Sequence, residues 1–122
     1  MASNIYPIWH NGKKIFFTNW SNLLDVDKAL KVIEETVSFI ERNEEYDLLE
    51  ILDVRGSYAS PKVLLALKDA GKRTKAFSKK KAMVGIKGSK RVLLMAVNRF
   101  IDGSIKGFEN IEDAKEWLSS DN

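Results

Sequence analysis

Hydrophobic positions divide the chain into strand-like and helix-like segments, beginning with two short runs rich in aromatic and β-branched residues, 5–9 and 14–20. Between them stands Asn11-Gly12, a pair typical of a tight β-hairpin because both residues tolerate a positive φ. Pro7 cannot donate a backbone hydrogen bond to a neighbouring strand. The first strand is therefore predicted to lie at a sheet edge.

Residues 25–42 are predicted to form a helix, because their apolar positions recur every three or four residues and share one face. Asp25 or Asn22 is the expected cap at its start. Residues 46–54, YDLLEILDV, are almost continuously apolar, which is typical of a central strand covered on both faces. The apolar stripe of the helix consists of Val26, Leu30, Ile33, Val37 and Ile40.

Ser60-Pro61 predicts the start of a second helix, since serine is a favoured cap and proline suits the first helical position. Gly71 is expected to shorten or kink that helix. Residues 82–86 follow as a short apolar strand, in which Gly85 marks a close backbone approach. Gly88 then leads into a third helix, which is expected to end at Asp102-Gly103.

Residues 105–108 form the last predicted strand, and Asn110 caps a final helix with Asp113 at the capping-box position. The predicted order is ββαβαβαβα. Helices between apolar strands imply crossover connections, so the fold class is α/β: a mixed, mostly parallel sheet with an N-terminal β-hairpin and about four helices. The 122 residues are expected to form a single domain.

Composition removes several kinds of chemistry. The chain has no cysteine and one histidine, so we expect no thiolate catalysis, no metal site and no cofactor. Apolar runs are far shorter than the ~20 residues that span a bilayer, and the N-terminus shows no secretion signal. We therefore expect a cytoplasmic protein without a membrane span.

Positive charge is concentrated in residues 68–91, which carry a net charge of +9 in a chain whose total is +3. Such a segment suits an anionic partner, and equally a solvated helix face. Proteins that bind single-stranded nucleic acid interleave aromatic and basic residues, whereas this segment contains only Phe77. We therefore do not expect nucleic acid as a partner.

Four segments resemble a known family: Leu52-Asp53-Val54, the loop 55–60, the run 82–86, and the closing stretch 108–118, FENIEDAKEWL. In this layout the chain is similar to STAS domains and their SpoIIAA-like relatives, which include anti-sigma factor antagonists and related bacterial regulators. The resemblance covers nearly the whole chain. It implies a mixed sheet with helices largely on one side, a fold shared with the lipid-binding CRAL-TRIO domains.

The resemblance also implies a site in the loop after the strand ending in Asp53. Partner-switching members are phosphorylated there on a serine within Asp-Ser-Ser/Thr-Gly, a motif that this chain lacks. Ser60 falls nearest to that serine and Ser57 is the neighbouring option, with Arg55 beside them. A phosphate on Ser60 would lie at a helix N-terminus, where the helix dipole favours an anion. Alternatively Ser60 is only a helix cap, and Asp53 only accepts hydrogen bonds from its own loop.

A second site is predicted where the run 82–86 turns into the third helix. The turn formed by Gly88, Ser89, Lys90 and Arg91 is expected to direct backbone N–H groups at an anion. Cations in the first helical turn are unfavourable by about 0.3–1 kcal/mol each, and a bound anion reverses that sign. The turn matches neither of the common nucleotide-binding glycine motifs. The alternative is a glycine-supported turn with solvated cations.

Two functions follow from these sites. The first is a non-enzymatic regulatory or protein-interaction module that acts through residues 55–61. The alternative is a module that binds an anionic metabolite, nucleotide or lipid headgroup at the carboxyl ends of the strands. No nucleophile–base pair is visible, and His10 is read as a turn residue. Exposure of part of the aromatic set Trp9, Phe16, Phe17 and Trp20 would indicate a contact surface, such as a homodimer.

Overall fold

The structure, a computed structural model, describes residues 4–58, 60–88, 90–100 and 105–120. Its strands are β1 (Ile5–His10), β2 (Lys13–Asn19), β3 (Leu48–Asp53), β4 (Ser78–Val84) and β5 (Ile105–Phe108). Its helices are α1 (Val26–Asn43), α2 (Pro61–Thr74), α3 (Lys90–Phe100) and α4 (Ile111–Ser119), and a short 3-10 turn, Lys75–Phe77, follows α2. The predicted end of α3 at Asp102-Gly103 lies outside the described residues. Within α3 the described side chains are those of Lys90, Arg91, Leu94, Met95, Asn98 and Arg99.

The five strands form one sheet in the order β1-β2-β3-β4-β5. The hairpin β1–β2 is antiparallel, and the pairs β2–β3, β3–β4 and β4–β5 are parallel. Asn11 and Gly12 turn the hairpin with φ of 51° and 76°, the positive values that the sequence predicts. Pro7 lies in the edge strand β1, as expected, and β3 is the central strand. The predicted α/β architecture is confirmed.

The sheet is covered on both faces. Apolar side chains of α1 and α2, with Leu94 of α3, pack on the face that presents Leu52 and Met83. Helix α4 covers the opposite face, where Ala114 and Leu118 pack against β2, β3 and β4. The connecting helices thus gather on one side, as the resemblance implies.

Local capping chemistry sets where three helices begin. Asp25 accepts a hydrogen bond from the Lys28 N–H at 3.0 Å and caps α1. Asn110 accepts from the Asp113 N–H at 2.9 Å and caps α4. These two caps and the Ser60 cap of α2 confirm the helix starts read from the sequence.

Two predicted boundaries are wrong. Gly71 does not end α2: it is buried within the helix, which continues to Thr74. Strand β4 begins at Ser78, four residues before the predicted start at Ala82, and ends at Val84. Its lysines are accommodated because Lys80 Nζ donates to the carbonyls of Trp117 and Ser120, each at 3.0 Å, at the end of α4.

The basic segment 68–91 is distributed over different sides of the molecule. Arg73 bonds Glu34 and Glu41 of α1 at 2.7 and 2.8 Å, while Lys80 bonds the end of α4 on the opposite face. Lys81 is buried under α2 and donates to the Thr74 hydroxyl at 2.9 Å. Much of this charge therefore serves internal contacts.

Candidate functional site

The loop after β3 opens with an internal ion pair. The carboxylate of Asp53, which is buried, accepts from Nε and Nη2 of Arg55, both at 2.9 Å, and from the Arg55 N–H at 3.1 Å. These hydrogen bonds raise the pKa of the Arg55 guanidinium above its usual value. Asp53 therefore accepts hydrogen bonds from its own loop, as the structural alternative in the sequence analysis expects.

Ser57 ties this loop to the β2–α1 loop. Its hydroxyl donates to the Trp20 carbonyl and accepts from the Leu23 N–H at 2.8 Å. Two backbone bonds reinforce the junction: the Asn22 N–H donates to the Arg55 carbonyl at 2.9 Å, and the Tyr58 N–H donates to the Leu23 carbonyl at 3.3 Å. The Ser57 hydroxyl thus already uses both its hydrogen and a lone pair.

Ser60 stands at the start of α2, where its hydroxyl accepts from the Val63 N–H at 3.3 Å. It is half-buried, and Ala59 before it lies outside the described residues. The predicted cap is confirmed. The same position leaves Ser60 at a helix N-terminus, so its role as a phosphoacceptor stays a prediction.

Several backbone N–H groups in and around the turn between β4 and α3 donate to carbonyls of the protein itself. The N–H groups of Gly85 and Ile86 donate to the Phe108 carbonyl at 2.9 and 3.0 Å. The Lys90 N–H donates to the Lys87 carbonyl at 3.2 Å, and the Arg91 N–H donates to the Gly88 carbonyl at 3.1 Å. The expectation that these N–H groups are free for an anion is therefore not met at Lys90 and Arg91, and Ser89 lies outside the described residues.

Side chains from the two predicted segments nevertheless meet at the carboxyl ends of β3 and β4. An open cleft of about 410 Å³ is bounded by Arg55, Gly56, Gly85, Lys87, Lys90 and Glu109. Arg55 and Lys90 come together here, as the ligand hypothesis requires. Gly88 and Arg91 are exposed and are not among the described residues that line the cleft.

Next to the cleft lies an apolar cavity of about 170 Å³, bounded by α1, α2, α3 and the ends of the strands. Lys90 lines both spaces, and its Nζ donates to the Val54 carbonyl at 3.0 Å. The sequence analysis did not identify this cavity. The lining residues are Trp20, Leu23, Ala29, Ile33, Val54, Ser57, Tyr58, Val63, Leu64, Leu67, Met83, Ile86, Lys90 and Leu94.

A third, much smaller cavity of about 20 Å³ lies deeper under α1 and α2. Glu50 and Lys81, which are partners in the β3–β4 register, line it together with Thr36 and Thr74. Glu50 is fully buried, and Ser78 donates a hydrogen bond to its Oε2. The sequence analysis singled out neither Glu50 nor Lys81 as buried, because the sequence of a strand does not show which of its polar residues other elements cover.

The other residues considered from the sequence form no catalytic group. His10 Nε2 lies 2.7 Å from Glu116 Oε1 of α4, and Ser57 is engaged with the β2–α1 loop. Within the described ranges there is no cluster of side chains suited to a metal ion, and no helix there is long and apolar enough to cross a membrane. Of the aromatic set, Phe16, Phe17 and Trp20 are buried, whereas Trp9 is exposed.

Comparison with known proteins identifies the fold. No family model matches the chain, and no curated protein matches it. It is similar to the crystal structure of an uncharacterised protein of the DUF3478 family with a SpoIIAA-like fold from Shewanella loihica PV-4. The TM-score is 0.60 at 18% identity, over 93% of this chain and 91% of that one. The resemblance read from the sequence is thus confirmed as a SpoIIAA-like fold.

Proposed function

We propose that the chain is a non-enzymatic binding module for a small amphipathic anion. The apolar part of the ligand occupies the cavity, and its anionic group lies in the open cleft. The observation that carries this proposal is the position of Lys90, which lines both spaces. Its methylene stem borders the cavity while its ammonium offers charge and hydrogen bonds at the junction.

The charge of the cleft fits one anionic group. Arg55, Lys87 and Lys90 face Glu109, and Asp53 offsets the charge of Arg55. Three cations and two carboxylates leave a net charge of +1. An ammonium carries three donors, and the Val54 carbonyl accepts one from Lys90, so two remain for a carboxylate or phosphate.

The polar groups around the cavity support binding rather than catalysis. Ser57 is held by Trp20 and Leu23, and Asp53 by Arg55, so each has a structural partner. A nucleophile requires a base within hydrogen-bonding reach, and neither contact supplies one. We therefore place the chain among binding modules and not among enzymes.

Thermal unfolding with hexanoate, phenyl phosphate, adenosine monophosphate and inorganic phosphate tests the proposal. At 100 times its Kd a ligand stabilises the fold by about 2.7 kcal/mol, or about 10 °C in a chain of this size. Hexanoate and phenyl phosphate are expected to raise Tm. Inorganic phosphate, which cannot fill the cavity, and adenosine monophosphate, whose polar ribose and two-ring base do not suit an apolar cavity of this size, are not.

Two matched variants each remove one cation: Lys90→Met removes a cation that lines the site, and Arg91→Met removes its neighbour, which does not. Lys90→Met is expected to abolish the rise in Tm, and Arg91→Met to retain it. No rise with any probe, an equal rise with inorganic phosphate, or an equal loss in both variants would contradict the proposal.

A protein partner at residues 55–61 is the second candidate function. Tyr58, at 64% exposure, lies in this loop, and its N–H bonds the carbonyl of Leu23, which precedes the exposed Leu24 of the adjoining loop. Exposed apolar side chains on tied loops suit a protein contact or a second copy of this chain. Tyr58→Ser is expected to abolish self-association in sedimentation or binding to a purified partner. Tyr46→Ser, at 66% exposure, is the control, and equal effects of both variants would reject this surface.

A further inference from the structure

We infer that the ligand's apolar part is short, either one six-membered ring or a chain of about six to eight carbons. This inference rests on the proposed function and concerns the same cavity. It assigns the ligand to the class of short-chain or aromatic carboxylates and phosphates, and excludes long-chain lipids.

The first support is the volume of the cavity. An apolar cavity of about 150 Å³ encloses one benzene molecule. The cavity here measures about 170 Å³ and is open to solvent on one side, so it surrounds about six carbons, and any further carbons would lie outside its walls. A chain of sixteen carbons needs roughly two and a half times the space of six, by the same comparison.

The second support is that the polar side chains lining the cavity, apart from Lys90 and the largely exposed Tyr58, already have hydrogen-bond partners within the fold. The Trp20 indole N–H donates to the Thr36 hydroxyl at 3.1 Å. The Ser57 hydroxyl donates to the Trp20 carbonyl and accepts from the Leu23 N–H. A hydroxyl or amide deep in the ligand would lose its water without gaining a partner. The ligand is therefore expected to be apolar everywhere except near Lys90 and the exposed Tyr58.

The third support is the polar chamber that closes the inner end. Trp20, Leu67 and Met83 line both the apolar cavity and the 20 Å³ cavity beyond it. That chamber has room for a single water-sized group, and the polar side chains of Glu50 and Lys81 line it.

Glu50 makes the chamber unsuitable for a hydrocarbon. It is fully buried, and its Oε1 has no hydrogen-bond partner within the described part of the chain. A methylene in the chamber would lie beside this buried carboxyl group without offering the hydrogen bond that a buried polar group requires. A ligand chain that extends beyond Met83 into the chamber therefore gains no further favourable contacts. The polar lining of the chamber limits the chain length in addition to the volume of the cavity.

The test is a series of straight-chain carboxylates from butanoate to dodecanoate, each below its micelle concentration, with affinity measured by calorimetry. Affinity is expected to rise about four-fold per methylene, the equivalent of ~0.8 kcal/mol, up to six to eight carbons. It is then expected to stop rising. Phenylacetate is expected to bind about as tightly as hexanoate, and hexylamine to show no binding.

Two variants each replace a methyl side chain with an isopropyl group, on opposite faces of the sheet. Ala29→Val narrows the cavity and is expected to weaken hexanoate at least ten-fold while affecting butanoate little. Ala114→Val, buried under α4, is the control and is expected to preserve the profile. The wild-type series tests the size limit alone should either variant fail to fold.

The outcomes separate this inference from the proposed function. An affinity that keeps rising through dodecanoate would overturn the size limit and leave the binding of an amphipathic anion intact. The absence of binding by every carboxylate and by phenyl phosphate would overturn both.

Discussion

Replacing Ser57 with alanine is expected to loosen the junction between the β2–α1 and β3–α2 loops. The hydroxyl makes two bonds across this junction, to the Trp20 carbonyl and from the Leu23 N–H, and both are partly buried. Alanine fills nearly the same space but leaves both backbone groups without this partner. The change therefore isolates the hydrogen bonds from packing.

The magnitude follows from the two bonds. Each intramolecular hydrogen bond contributes a net ~0.5–1.5 kcal/mol, so losing both lowers the free energy of unfolding by about 1–3 kcal/mol. At about 2.1 cal/mol/K of unfolding entropy per residue, each kcal/mol shifts the Tm of this chain by about 4 °C. The expected fall in Tm is therefore about 4–12 °C.

Urea unfolding followed by far-UV circular dichroism measures the change, with Ser21→Ala as control. Ser21 donates its hydroxyl hydrogen to the neighbouring Asn19 side chain at the surface, so its loss is expected to cost less than about 0.5 kcal/mol. A Ser57→Ala variant within 0.5 kcal/mol of wild type would refute the reasoning.

The stabilities of Ser57→Asp and Ser60→Asp test which of the two serines can carry a negative charge, as a phosphoacceptor must. Ser57→Asp is expected to destabilise more than Ser57→Ala, because a carboxylate cannot donate to the Trp20 carbonyl and repels it. Ser60→Asp retains a capping oxygen and gains about 0.3–1 kcal/mol from the N-terminus of α2. Equal stability of the two aspartate variants would contradict this distinction. A fold that tolerates negative charge at Ser60 alone would make Ser60 the only acceptor compatible with the native loop.

Two further predictions concern backbone crowding and surface charge. Gly85→Ala is expected to cost at least about 1 kcal/mol more than Gly12→Ala in urea unfolding. Both glycines have a positive φ, but only at Gly85 would the new Cβ lie 3.0 Å from the Arg55 N, and equal costs would contradict this. For Glu34, the hydrogen bond from Arg73 lowers the pKa, so its stabilisation is complete above the unfolded pKa near 4.5 and is lost as the pH falls below it. Glu34→Gln is thus expected to lower stability by less than ~1 kcal/mol at pH 7, and a difference that persists undiminished at pH 3 would be the contrary result.

The features that were predictable from sequence are those set by neighbouring residues. The positive φ at Asn11 and Gly12 follows from the small steric cost of that conformation at these two residues. The start of α2 follows from Ser60 as the cap and Pro61 as the first helical residue. The parallel pairing of β2, β3, β4 and β5 follows because a helix separates each successive pair of these strands. Local chemistry therefore supports the predicted fold class.

The features that were missed depend on distant partners. Residues 78–81 read as a solvated basic stretch, yet Lys80 reaches the end of α4 and Lys81 reaches Thr74. These acceptors lie outside the strand, so the sequence around residues 78–81 does not indicate them. The start of β4 was placed too late for this reason.

The cavity was missed for a related physical reason. Trp20, which the sequence suggests as a core residue or as cover for the hairpin, is a core residue, and its N–H bonds Thr36 of α1, but no sequence pattern shows that its ring also lines the space between the sheet and the helices. A void arises from the mismatch between packed surfaces and not from any one residue. By contrast, the meeting of Arg55 with Lys90 was predictable, because parallel strands bring their carboxyl ends to the same edge.

Both candidate functions use the same residues, so they are thermodynamically linked if both operate. Ser57 and Tyr58 belong to the proposed partner loop and also line the apolar cavity. A ligand that changes how this loop is held must change its affinity for a partner, and the partner must change ligand affinity by the same factor. A shift in hexanoate affinity on partner binding, equal to the shift in partner affinity with hexanoate, would show one regulated site. Two independent affinities would show that the cavity and the loop surface act separately.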